Sequence, residues 1–215
     1  MKNVAGYDGS RLMTGALGTL GVLLDVSLKV LPRPECEVTL RQESAAAPAI
    51  EALNRWAGQA VPLSASCWHA GVLYLRLSGA TVAVRAAAQR IGGEVVEEAD
   101  AWWRALRDQQ LAYFQQQGRL WRLSVPPATP PLPLAGEMLI EWGGAQRWLW
   151  SNDTAASLRA TVADVGGHAM LFRGATAADE IFHPLTPAVA ALHRRIKQAF
   201  DPAGILNPGR MYAGL

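Results

Sequence analysis

Apolar and polar residues alternate over 22–30, with Val22, Leu24, Val26, Leu28 and Val30 on one side and Asp25, Ser27 and Lys29 on the other. Period-two alternation of this kind predicts a half-buried β-strand. Residues 36–42 repeat the pattern, and Leu63–His69 and 72–77 form two further strands joined at Ala70-Gly71 as a hairpin. Strands are also predicted over 94–97, 120–125, 137–142, 146–150 and 168–172, the 137–142 and 146–150 pair turning at Gly143-Gly144. Helical spacing predicts helices over 48–60, with Ile50, Leu53, Trp56 and Ala57 on one face, and over 80–91, stopped by Gly92-Gly93. A third covers 100–116, with Trp103, Leu106, Leu111 and Phe114 as core, and a fourth covers 154–164, capped by Ser151, Asn152 or Asp153. The last, 187–200, carries Val189, Leu192, Ile196 and Phe200 along one side with His193, Arg194, Arg195 and Lys197 nearby, bases that suit the end of a helix dipole.

The order strand, helix, strand, strand, helix, strand over residues 36–97 is the ferredoxin-like arrangement. Residues 119–172 half-repeat it without sequence identity, so one shared antiparallel sheet is the simplest architecture. The proline-rich stretch 126–133 can be no central element, and Pro32 and Pro34 end the first strand by removing two ladder donors. The expected fold class is therefore α+β, an antiparallel sheet with helices on one face. Residues 1–34 form an opening segment, 35–185 a ferredoxin-like domain and 186–215 a closing helix and tail, the tail running extended from residue 201.

Half of the 215 residues are hydrophobic and 18% are charged, enough to bury a sizeable core. Net charge is +2, from 20 basic and 18 acidic residues scattered along the chain, which gives no basic stripe for nucleic acid or an anionic membrane. No apolar run approaches the roughly 20 residues that span a bilayer, and no signal peptide precedes Met1, so a cytoplasmic location is expected. Cys36 and Cys67 lie far apart without metal-ligand spacing and read as reduced thiols. The four histidines, His69, His168, His183 and His193, fall at no such spacing either and read as structural, His183 standing out in the loop before the last helix. No metal site is expected, and no serine nucleophile with a histidine partner can be read. Trp142, Trp148 and Trp150 are either core or a face for another subunit.

Glycines at 15, 18 and 21 run directly into the strand expected at 22–30. Lacking Cβ atoms, they let backbone amides approach an anionic ligand, and equally they suit a hairpin turn. The spacing GxxGxxG feeding a strand is not the GxGxxG turn that opens a helix in a Rossmann site.

The string Asn3 to Asp8, the pair Arg11-Leu12 and the run Gly18-Thr19-Leu20-Gly21-Val22 resemble the closing part of the FAD-binding domain in FAD-linked oxidases of the vanillyl-alcohol oxidase type. Residues 200–211, from Phe200-Asp201-Pro202 through Asn207-Pro208-Gly209-Arg210-Met211, resemble the C-terminal signature of the same family, and within it the flavin subunits of bacterial glycolate oxidases. The resemblance implies FAD as cofactor and a 2-hydroxy acid such as glycolate as substrate. It implies a second flavin subunit and an iron–sulfur subunit as partners, through which the chain could lie peripherally at the inner membrane. It makes 1–34 the remnant of a flavin domain and 35–185 its cap. It implies cofactor contacts from Gly6, Tyr7, Asp8, Gly15, Gly18, Thr19, Leu20, Gly21 and Val22, with Asn207 and Arg210 near the flavin ring, and it names no catalytic base. Asn207 reads equally as a turn residue before Pro208-Gly209, and Asp8 as the cap of a short helix. Family members carry a further N-terminal subdomain ahead of this segment, so the chain is expected to be N-terminally truncated and to bind FAD weakly or not at all by itself. The alternative is a non-catalytic cap that docks partner subunits.

Overall fold

A computed structural model describes residues 8–176 and 179–215. The chain folds as two compact units, one of residues up to Leu31 together with Glu180–Leu215, the other Pro32–Asp179. The smaller unit opens with a short helix, α1 (Gly9–Met13), whose first turn is capped by Asp8 Oδ1, accepting from the Arg11 amide at 3.1 Å.

The larger unit begins β1 (Cys36–Glu43), α2 (Ala46–Ala57), β2 (Leu63–His69), β3 (Val72–Gly79), α3 (Thr81–Ile91) and β4 (Glu94–Val95), paired in the order β4-β1-β3-β2. This is the ferredoxin-like order that the alternation implied. There follow α4 (Asp100–Arg107), β5 (Leu120–Ser124), β6 (Glu137–Glu141), β7 (Gln146–Trp150), α5 (Ala155–Asp164) and β8 (His168–Arg173). The second set joins the first through β2 and β6, giving eight antiparallel strands among the described residues in the order β4-β1-β3-β2-β6-β7-β5-β8. The join is narrow: Cys67 faces Glu141, Trp68 faces Ile140 and His69 faces Leu139.

Alternation along the strands sends side chains to two cores. On one face Leu40, Leu73, Leu75 and Leu77 pack under α2 and α3, and Trp121, Leu123, Leu149, Ala169 and Leu171 pack under α5. On the other face Cys67, Leu139, Trp148 and Trp150 pack against Trp103 and Leu106 of α4 and against Tyr113 and Phe114. The three longest helices of this unit thus share one face, and α4 with the short turn after it covers part of the opposite one.

Several boundaries differ from the sequence reading for identifiable reasons. Helix α2 starts at Ala46, ahead of Pro48, because a proline in the first turn removes only an amide that has no helical partner anyway. The helix expected over 100–116 stops at Arg107: Gln109 adopts a left-handed φ of 55°, and Ala112–Gln115 resumes as a 3-10 turn that still buries Tyr113 and Phe114. Helix α5 is capped by Thr154, whose Oγ1 accepts from the Ser157 amide at 3.3 Å, and not by Ser151, Asn152 or Asp153. Residues 22–30 form no strand. No neighbour pairs with them among the described residues, and Leu24 stays 94% exposed and Leu28 80% exposed. Alternation qualifies a segment for a sheet, but only a partner strand supplies the ladder.

The smaller unit closes with α6 (Pro187–Phe200), capped by Thr186 with Pro187 at its first position. Val189, Leu192 and Phe200 on its apolar side remain partly exposed. The tail after it is not extended. Gly204, Gly209 and Gly214 take left-handed φ, and the Gly209 amide donates back to the Leu215 carbonyl at 2.6 Å.

Candidate functional site

The glycine loop follows directly from α1. Ala16 donates to the Met13 carbonyl and Thr19 to the Ala16 carbonyl, two successive turns that Gly15 and Gly18 permit at φ of 78° and 72°. The Thr19 hydroxyl turns inward and donates to the Ala16 carbonyl at 2.7 Å, so Thr19 is buried and serves the loop's own shape. The amides of Leu17, Gly18, Leu20 and Gly21 meet no acceptor among the described residues. Gly15 borders open space, whereas a Cβ on Gly18 would lie 2.7 Å from Asn207 Nδ2.

That close approach is one half of a clasp within the smaller unit. Asn207 sits at φ 42° and donates from Nδ2 to the Leu17 carbonyl at 2.8 Å. The other half is Lys197, on the last turns of α6. Its Nζ donates to the Thr19 carbonyl at 2.8 Å, to the Leu206 carbonyl at 2.6 Å and to Asp201 Oδ2 at 2.7 Å. Its side chain is 13% exposed and that of Asp201 3%, so the ion pair is buried, with all three ammonium donors used. Asp201 accepts in addition from the amides of Ile205 and Leu206. The Lys197 ammonium, then these amides, hold its carboxyl down at about 2.

The loop and tail thus bring together Gly15, Gly18, Thr19, Leu20, Gly21, Val22, Asn207 and Arg210. Leu20 borders a small apolar cleft of about 210 Å³ with Ile196 and Met211. Gly21 and Val22 border another of about 420 Å³ with Ile205 and Leu206. Arg210 is exposed beside a shallow depression with Leu17, Asn207 and Pro208. Gly6 and Tyr7 lie outside the described residues. Asp8 is engaged in capping α1 and in an ion pair with Arg11 at 3.2 Å. His183 accepts from the Tyr212 hydroxyl through its backbone carbonyl at 3.3 Å. Sequence reasoning passed over Lys197 and Asp201 as members of the site, although their i,i+4 spacing at a helix end is a legible pairing signal.

Residues 174–211, which hold α6 and the clasp residues Lys197, Asp201 and Asn207, match the family described as FAD linked oxidases, C-terminal domain. Along all 215 residues the chain is 45% identical to glycolate oxidase subunit GlcE of Escherichia coli (strain K12). It spans 60% of the length of GlcE. Over 39 residues, 18% of this chain and 8% of the other protein, it is also 49% identical to glycolate oxidase subunit GlcD of Bacillus subtilis (strain 168).

The residues present fit a group of the kind that FAD linked oxidases carry. Gly18 leaves room for the Asn207 side chain, and the amides of Gly18, Leu20 and Gly21, unengaged among the described residues, are donors of the kind that suits the oxygens of a diphosphate or ribityl chain. No helix among the described residues is long and apolar enough to cross a membrane.

Proposed function

We propose that the chain is the FAD-binding component of a glycolate oxidase, acting on glycolate or a related 2-hydroxy acid as part of a longer protein. The observation that carries the reading is its identity, along its whole length, to a glycolate oxidase subunit. When bound, FAD supplies the two-electron acceptor that turns a 2-hydroxy acid into a 2-oxo acid. The chain's own part is binding and orientation. Amides of Gly18, Leu20 and Gly21 would donate to phosphate or ribityl oxygens of the cofactor, with Gly15 and Val22 flanking them in the loop. Thr19 shapes the loop from within, and Asp8 caps the short helix that leads into it. Asn207 and Arg210 would serve the ring end, where an amide can bond a flavin edge and a guanidinium a carboxylate. Residues 1–34 and 186–215 are the flavin-domain portions and 35–185 the cap. A second flavin subunit and an iron–sulfur subunit are the proposed partners and receive the electrons.

The test is a FAD titration of two proteins, this chain and a longer version extended to the full length of GlcE. The expected result is saturable binding, with flavin absorbance carried through gel filtration, for the longer protein, and weak or no retention for this chain. Glycolate-dependent dye reduction should then appear once the partner subunits are added. If the longer protein shows no saturable binding, the flavin reading fails and the chain is a cap that docks subunits without handling cofactor.

A further inference from the structure

The larger unit carries a groove of about 870 Å³ on the sheet face that α4 partly covers. Trp103, Trp142 and Trp148 line it together with Arg76, Gln146 and Glu141. Glu141 ends β6, opposite the buried thiol of Cys67. Its Oε2 accepts from the Trp148 indole N–H at 2.6 Å and from the Gln146 side-chain amide at 3.2 Å, and its Oε1 meets no donor among the described residues. Burial raises its pKa, because no cation stands beside it to offset the lost hydration.

The arginines around the groove each have a bond of their own elsewhere. Arg76 donates to the Ser64 hydroxyl at 3.0 Å, lies 3.9 Å from the Glu37 carboxylate and rests over the Trp103 ring at 5.4 Å. Arg107 pairs with Asp108 at 2.7 Å, and Arg104 donates to the Asp100 carbonyl at 3.3 Å. Glu141 is thus a half-buried carboxyl, fixed in direction, whose bonds run only to neutral donors. Beside it in sequence stands Trp142, 69% exposed and at a φ of 53°, a conformation that bulky residues rarely adopt. Indole faces attract cations, and burying a carboxylate favours a partner of opposite charge. Among the described residues no cluster of three His, Cys, Asp or Glu side chains offers a metal site.

We propose that this groove binds an organic cation, an alkylammonium or guanidinium group, with the charge against Glu141 and the apolar stem against the indoles of Trp142 and Trp148. The site is independent of the flavin reading, since it lies wholly within the larger unit. The cation can be a free amine or a side chain of another protein, and the experiment separates the two.

Tryptophan fluorescence and calorimetry of the intact chain at low salt would be followed during titration with n-butylammonium, Nα-acetyl-lysine methylamide and, as a neutral control, 1-butanol. Saturable binding of at least one cation, absent for butanol, is expected. Glu141→Gln keeps an acceptor for Trp148 and should weaken the binding about tenfold or more. Trp142→Gly, at an exposed position whose left-handed backbone glycine tolerates, should weaken it as well without disturbing the fold. Binding of butylammonium indicates a free amine, and binding of the lysine derivative alone indicates a protein side chain. If neither cation binds saturably, or if the Trp142→Gly chain and a folded Glu141→Gln chain both bind as the parent does, the proposal is overturned.

Discussion

Asn207 donates from Nδ2 to the Leu17 carbonyl at 2.8 Å, a bond between residues 190 positions apart. Both residues hold left-handed backbone, φ 42° at Asn207 and 52° at Leu17. Gly18 lies in the same contact, and Gly18→Ala would place a methyl 2.7 Å from Asn207 Nδ2 at a φ of 72°. The substitution should cost about 2 kcal/mol or more through combined strain and clash. Gly15→Ala, at φ 78° in open space, should cost only about 1 kcal/mol. Urea denaturation of the two variants, with amide exchange of Ile205, Leu206, Asn207 and Gly209 as the local readout, checks the order.

Lys197→Met removes a buried ammonium that serves three acceptors and leaves Asp201 as an uncompensated charge. A loss of about 3 kcal/mol from the smaller unit is expected. Lys197→Arg keeps the charge but replaces a compact three-way donor by a planar fork, and it should recover only part of the loss. Chemical denaturation of the three chains measures this.

The Asp201 carboxyl sits at about 2, held there first by Lys197 and then by the amides of Leu206 and Ile205. An unfolded aspartate titrates near 3.9, so the folded state favours the ionised form. The stabilisation is complete above about pH 4 and declines as pH falls through about 2. The protection of the Ile205 and Leu206 amides, which both donate to this carboxylate, measured against their intrinsic exchange rates, should fall over that window. In Asp201→Asn it should already be low at pH 6 and lack the acid step.

The parts of this fold legible in sequence are those where one local rule decides. The hairpin at Ala70-Gly71 was readable because Ala70 and Gly71 both take φ above zero, and glycine at the second position announces it. Leu73, Leu75 and Leu77 announced their buried face by period two alone. The stretch 22–30 shows the same period and yet forms no ladder, because a pattern does not name its partner. The helix over 100–116 looked continuous, since Leu111 and Phe114 keep helical spacing after the chain has turned at Gln109. At the site, the glycines and Asn207 were legible as motif, while Lys197 looked like one more base on a solvated face. Only the fold brings the Thr19 and Leu206 carbonyls to its ammonium.

Arg147 had no sequence signature at all, being a cation inside a strand that is buried along its length. Its guanidinium donates to the carbonyls of Gly144 at 3.1 Å, Pro130 at 2.8 Å and Thr129, and so anchors the proline-rich loop to β7. Burial lowers its pKa to about 10. Arg147→Met should orphan these carbonyls and cost about 3 kcal/mol, with protease cleavage appearing first within 126–133. Denaturation and limited proteolysis read the two effects.

The exposed run from Val22 to Leu31 is a liability for the chain on its own. Leu24, Leu28 and Leu31 stand 80% or more in water. Segments of this kind pair with copies of themselves when no other strand covers them. Concentration-dependent association is expected in analytical ultracentrifugation, and Leu24→Lys with Leu28→Lys should suppress it without lowering the stability of the larger unit.

The 189 residues enclosed between Leu17 and Asn207 by their bond also order the events of folding. A loop of that length is entropically expensive to close from a random coil, whereas the hairpin of β2 and β3 closes over two residues. The clasp is therefore expected among the last contacts made during folding. Any ligand that grips both of its sides would lengthen the life of the folded smaller unit far more than it would quicken its formation.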